Sequence, residues 1–181
     1  DRTLTADQWR KKTEGMNELG KRMFEQYGVK AQYHPHADSH VDTEENVYRF
    51  LDGTSSEFVN LCLDTGHISY CGGDNIAIIE RAPERIGYLH LKQVDEAVRD
   101  KVLAEDLPFG EAVRLGAMTE PPLGIPAMPP LLETVERLAT EGRLTADLFA
   151  IVEQDMYGCD VDAPLPIARR TRQYLGSCGV P

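Results

Sequence analysis

The chain has 181 residues, 41% apolar and 27% charged, proportions of an ordinary globular protein that exclude wholesale disorder, collagen-like repeats and a coiled coil. Nineteen Lys and Arg against 30 Asp and Glu leave a formal charge of -11, which repels phosphate backbones and anionic lipid, so neither nucleic acid nor membrane is an expected partner. No apolar run reaches membrane-spanning length, and Cys62, Cys71, Cys159 and Cys178 are too sparse for a disulfide scaffold, which points to a reduced, cytoplasmic setting.

Helix and strand alternate along the chain. Thr5 and Gln8 form a capping box ahead of a helix in which Trp9, Met16, Leu19 and Met23 recur near helical spacing until Gly28. A short strand over 29–34 runs into His34-Pro35-His36, and after a loop a helix over 44–51 carries Glu44 and Glu45 in its first turn. The apolar run 58–64 reads as a strand ending in Asp64-Thr65-Gly66-His67, with Cys62 inside it as a small hydrophobe. Asp74 starts a helix reaching residue 82, and a strand over 86–91 leads into His90-Leu91-Lys92. Residues 92–130 hold six of the eleven prolines and are expected to form an ordered surface excursion or lid. A helix over 131–139, a strand over 148–153 ending in Glu153-Gln154-Asp155, and a helix over 164–175 complete the pattern. Four such alternations predict one α/β domain over 1–181, a parallel sheet with helices outside it.

In such sheets the ligand site lies at the carboxyl ends of the strands. All four expected ends carry ionisable side chains. Residues two apart share a strand face, so His34 with His36, His90 with Lys92, and Glu153 with Asp155 can point inward as pairs. Two imidazoles and two carboxylates converging from neighbouring strands form a mixed nitrogen and oxygen shell suited to a divalent first-row metal, Mn, Co or Zn. His40 falls in a loop and is expected to be exposed, and Trp9 reads as a core aromatic. No G-x-S-x-G, G-x-G-x-x-G or P-loop pattern is present, which removes support for a serine nucleophile elbow or a nucleotide site.

Leu61-Cys62-Leu63-Asp64-Thr65-Gly66-His67, Tyr88-Leu89-His90-Leu91-Lys92 and Ile151-Val152-Glu153-Gln154-Asp155, in this order, resemble the motifs of the xylose-isomerase-like sugar isomerase and epimerase superfamily. Tyr33-His34-Pro35-His36, the stretch 107–116 and the ending Pro164-Leu165-Pro166-Ile167-Ala168 resemble its branch that dehydrates keto-inositols. The resemblance covers essentially the whole chain and implies a (β/α)8 TIM barrel, of which this chain supplies the C-terminal four strand-helix units. It implies metal ligation by His34, Asp64, His90 and Glu153, and substrate contacts from His67, Lys92 and His36. The implied reaction is dehydration of a keto-polyol through a metal-stabilised enolate, with Glu153 as base and His67 or His34 as acid. Sugar isomerisation or epimerisation is the alternative, and a non-catalytic half-barrel that binds ligand is the third reading. The family's H-x-K-D reads His90-Leu91-Lys92-Gln93 here, a glycine-rich element reads Pro122-Leu123-Gly124-Ile125-Pro126-Ala127, and His34 stands where many epimerases carry glutamate, which favours dehydration or simple isomerisation over epimerisation. A complete barrel takes about 250 residues, so the expected partner is an N-terminal half-barrel or a second copy of the chain, besides a small polyol or sugar substrate.

Overall fold

The computed structural model describes residues 3–145 and 148–180. The chain opens with α1 (Ala6–Tyr27), entered through both halves of the Thr5/Gln8 capping box and stopped by Gly28 at φ 66. Then follow β1 (Ala31–Tyr33), α2 (Glu44–Gly53), β2 (Val59–Asp64), α3 (Thr65–Tyr70), α4 (Asn75–Arg81) and β3 (Ile86–Leu91). The excursion contains β4 (Gln93–Val94), α5 (Glu96–Ala104), α6 (Phe109–Arg114) and β5 (Met118–Thr119), after which come α7 (Met128–Thr140), β6 (Ala150–Val152) and α8 (Pro164–Ser177).

The main sheet has the order β1-β2-β3-β6, and every neighbouring pair is parallel. One face of it is apolar: Leu61, Leu63, Ile86, Leu89 and Leu91 pack against Trp9, Val47, Phe50, Ile78, Leu131, Leu138 and Leu175 from the helices. Along the other face run Cys62 and Asp64 of β2 beside Tyr88 and His90 of β3, in register with one another. Burial of the leucine face supplies the hydrophobic drive, and alternation beyond one irregularity in the β2–β3 pairing leaves the second face for polar groups.

Several expected boundaries shift. The excursion is ordered, as its prolines suggest, but it is more than a loop. Its β4 and β5 pair antiparallel, Gln93 opposite Thr119, and Val94, Val102, Ala112, Val113, Ala117 and Met118 form a second core with Tyr70. The helix expected from residue 131 begins at Met128, because Pro129 and Pro130 fit its first turn, where no backbone N–H is needed. The short helix α3 was not expected at all. The last strand shrinks to three residues and is exposed, with Ile151 and Val152 at 43% and 47% and Phe149 just before it at 56%. Among the described residues, no helix is long and apolar enough to cross a membrane.

Candidate metal centre

Asp64 ends β2 and caps α3. Its Oδ1 accepts the N–H groups of Gly66 and His67, both at 2.9 Å, which fixes the carboxylate and turns Oδ2 outward. That second oxygen lies 3.3 Å from His34 Nε2, 3.2 Å from His90 Nδ1 and 3.4 Å from Lys92 Nζ. Glu153 follows β6, where its N–H donates to the Leu91 carbonyl, and its Oε2 lies 2.5 Å from His90 Nδ1. One ligand atom from each of His34, Asp64, His90 and Glu153 sits within 4.8 Å of the others. The four residues read from the sequence as metal ligands are thus brought together.

Lys92 lies under this cluster, wholly buried. Its backbone is clamped by the Thr65 hydroxyl, which accepts the Lys92 N–H at 3.0 Å and donates to the Lys92 carbonyl at 2.7 Å. Its stem passes beneath Gly66, where a Cβ would stand 2.6 Å from Lys92 Cγ. The ammonium lies 2.9 Å from Asp155, 3.4 Å from Asp64 and 3.4 Å from Glu153. Three carboxylates against one ammonium leave a local charge of 1 − 3 = −2 when the imidazoles are neutral.

These contacts set the protonation states. Burial alone would raise the Asp64 carboxyl, but hydrogen bonds from His34 and His90 and the Lys92 charge hold it well below the usual carboxylate range. His90 is raised by its hydrogen bond to Asp64 and by Glu153, against the pull of burial. Lys92 is raised in spite of burial by Asp64, Asp155 and Glu153, so it stays charged. His67 goes the other way: burial, with Lys92 adding to it against Asp64, pushes it down to about 2. Geometry agrees, because its Nδ1 faces the Ala37 N–H at 3.4 Å and its Nε2 faces the Lys92 ammonium at 3.3 Å. Neither nitrogen has an acceptor close enough to welcome a second proton.

His36 and His67 lie tilted against each other with ring centroids 3.7 Å apart, and Phe109, at the start of α6, packs against them at 5.2 and 5.0 Å. The excursion therefore supplies one wall of the site. Tyr88 stacks on Phe149 at 5.0 Å and stands 5.5 Å from His90. His40 is exposed, as expected, and Asp74 caps α4. Sequence reasoning gave no site role to Phe109, Tyr88 or Asp155. For Asp155 the signal was present, since it shares a strand face with Glu153; for Phe109 no local pattern points inward.

The sequence profile described as xylose isomerase-like TIM barrel matches residues 1–160. The inosose dehydratase of Geobacillus thermodenitrificans is 30% identical over 178 residues, which is 98% of this chain and 57% of that protein. Inosose dehydratase 2 of Bacillus cereus is 35% identical over 122 residues, 67% of this chain and 41% of that protein. The chain spans about half the length of the curated relatives it matches. Among solved structures, the probable 3-DHS dehydratase AsbF of Bacillus anthracis superposes with a TM-score of 0.71 at 16% identity, over 96% of this chain and 58% of that one. The IOLI protein with a bound zinc atom gives a TM-score of 0.65 at 17% identity, over 97% and 58%. At such identities the structures establish the fold alone, and they place the parallel sheet within the TIM-barrel architecture expected from the sequence.

Proposed function

The chain belongs to the xylose isomerase-like TIM barrel family, and on that footing we propose that it carries the metal-dependent site of a dehydratase acting on a keto-polyol, with inosose as the first substrate to test. One observation carries the reading: donor atoms of His34, Asp64, His90 and Glu153 lie within 4.8 Å of one another in a pocket of net negative charge. The residues fit a cation. Glu153 Oε2 approaches His90 Nδ1 to 2.5 Å as an ion pair without hydrogen-bond geometry, an arrangement that a shared cation can replace. A divalent charge would neutralise the local excess of −2, and two imidazoles with two carboxylates suit Mn, Co or Zn. The zinc atom in the IOLI protein supports the same reading. When bound, the ion would supply Lewis acidity that polarises a substrate carbonyl.

The remaining chemistry falls to the side chains. Glu153, 36% exposed at the rim, takes the proton from the carbon next to the carbonyl, and Lys92 holds this carboxylate in place. Of the two histidines considered as acid, His34 is 31% exposed and His67 only 1%. His34, the more exposed of the two, is the candidate for the acid that protonates the departing hydroxyl. His67 is held neutral and orients substrate from its packed place against His36 and Phe109. His36 donates Nδ1–H to the Ala37 carbonyl at 2.6 Å, keeping Nε2 for a substrate hydroxyl, whereas Lys92, expected as a substrate contact, is wholly buried and serves the carboxylates. Completing the barrel needs further strands, and the exposed edge of β6 is where a companion half or a second copy would add them.

The test supplies inosose and a ketose to metal-loaded protein in heavy water. Loss of water from inosose is expected from the manganese-loaded protein, with Asp64→Asn and His90→Ala removing manganese content and turnover together. Exchange of the carbon-bound hydrogen without water loss would make the protein an isomerase or epimerase. Full turnover by metal-stripped protein refutes the reading.

A further inference from the structure

Cys62 lies two residues before Asp64 on the same face of β2 and is wholly buried. As the sequence suggests, it is a mid-strand residue, but its side chain does not vanish into hydrocarbon. Its sulfur and the ring nitrogens of His34 and His90 lie within 4.8 Å of one another. Across the strand pair Cys62 stands opposite Tyr88. His34 and His90 are therefore common to two donor sets. One adds the carboxylates of Asp64 and Glu153; the other adds the thiol of Cys62, deeper in the sheet face.

We propose that Cys62 is a metal ligand, and that a thiophilic divalent ion such as zinc or cadmium is held by Cys62, His34 and His90, whereas a hard ion such as manganese is held by the carboxylate set. The proposal rests on the cluster being a metal centre. Its chemical basis is ligand softness: thiolate selects zinc and cadmium, and carboxylate suits manganese. Coordination forms a metal–sulfur bond and breaks the S–H bond, the proton leaving to solvent. Three protein donors leave a fourth position open, the pattern of zinc sites that act on a substrate. The sulfur-bound arrangement also frees Glu153 from the ion. A carboxylate shared with a cation is a weak base, so this placement gives the rim glutamate the basicity its proposed role requires.

Cobalt(II) alone is the probe, titrated into the whole protein after metal removal. The expected result is one equivalent bound with sulfur-to-cobalt charge-transfer absorption in the near ultraviolet. In Cys62→Ser, cobalt should still bind but this absorption should disappear. In the same variant, cadmium should lose affinity relative to manganese by at least the roughly tenfold that loss of even an outer-shell partner costs. Stoichiometric cobalt without the sulfur band overturns the proposal and leaves the metal centre standing. A band that survives in Cys62→Ser overturns it too, by assigning the sulfur to another cysteine. Failure to bind any cobalt, cadmium or manganese overturns the metal centre itself. Should Cys62→Ser not fold by circular dichroism, the wild-type spectrum still decides.

Discussion

Lys92→Met takes one positive charge out of the site while keeping the aliphatic stem that runs beneath Gly66. The lost ammonium faces Asp155 at 2.9 Å and both Asp64 and Glu153 at 3.4 Å. Removing one member of a buried ion pair costs about 3–5 kcal/mol, because the partner stays behind uncompensated. Asp155 and Glu153 are 32% and 36% exposed and keep part of their hydration, so the loss falls mainly on Asp64, which has none. The expected cost is therefore near the lower limit, about 3 kcal/mol. In a chain of this length that lowers the melting temperature by roughly 6–12 °C, read by calorimetry in the presence of a chelator. Adding a divalent ion should then work in the opposite direction. The variant pocket carries −3 instead of −2, so saturating zinc or manganese should raise its melting temperature by more than it raises that of the wild type. A variant that melts within about 2 °C of the wild type in chelator would show that Lys92 does not balance these carboxylates. So would one that gains no more from the ion than the wild type does.

Two further outcomes follow from the same geometry. His67 is pushed down to about 2 in the folded protein, against about 6.5 when unfolded. Below that unfolded value the unfolded chain takes up a proton that the folded chain refuses. The stability His67 contributes is whole above about pH 6.5 and drains as the pH falls, by at most about 1.4 kcal/mol per unit. Urea melts between about pH 7.5 and 5 should show this slope in the wild type and a flatter one in His67→Gln, and parallel curves would contradict it. Phe109→Ala removes the ring packed on His36 and His67. It should raise the substrate KM several-fold while metal stoichiometry is unchanged, and loss of bound metal would show that Phe109 supports the ligands rather than the substrate.

Much of the site was legible because its residues stand at strand ends, where an apolar run gives way to an ionisable pair two residues apart. His90 and Glu153 follow from that pattern and from the rule that alternate residues share a face, and Asp64 from its place at the end of the apolar run 58–64. Lys92 was legible as a site residue but not as a buried one. Its burial depends on carboxylates from two other strand ends and on the absence of a side chain at Gly66, which no single window of sequence contains. The helix α3 escaped for a similar reason. Its six residues show no helical period, and what starts it is the Asp64 carboxylate capping Gly66 and His67. The pair β4 and β5, two residues each, is likewise too short to show alternation.

The most consequential detail is a single glycine. Leu61 pairs with Ile86, so unbroken register would set Cys62 against Gly87 and Asp64 against Leu89. The ladder instead shifts between Leu61 and Cys62, which brings Cys62 opposite Tyr88 and Asp64 opposite His90. Gly87 is the residue taken up by that irregularity, and a Cβ there would collide with the Gln32 side chain. Facing residues in neighbouring strands point to the same side, so the shift decides whether Asp64 meets an imidazole or a leucine. It also lets β3 begin with Ile86 packed among the helices and still deliver Tyr88 and His90 to the polar face. The apolar core and the candidate metal centre thus draw on the same six-residue strand, and one bulge reconciles their opposite demands.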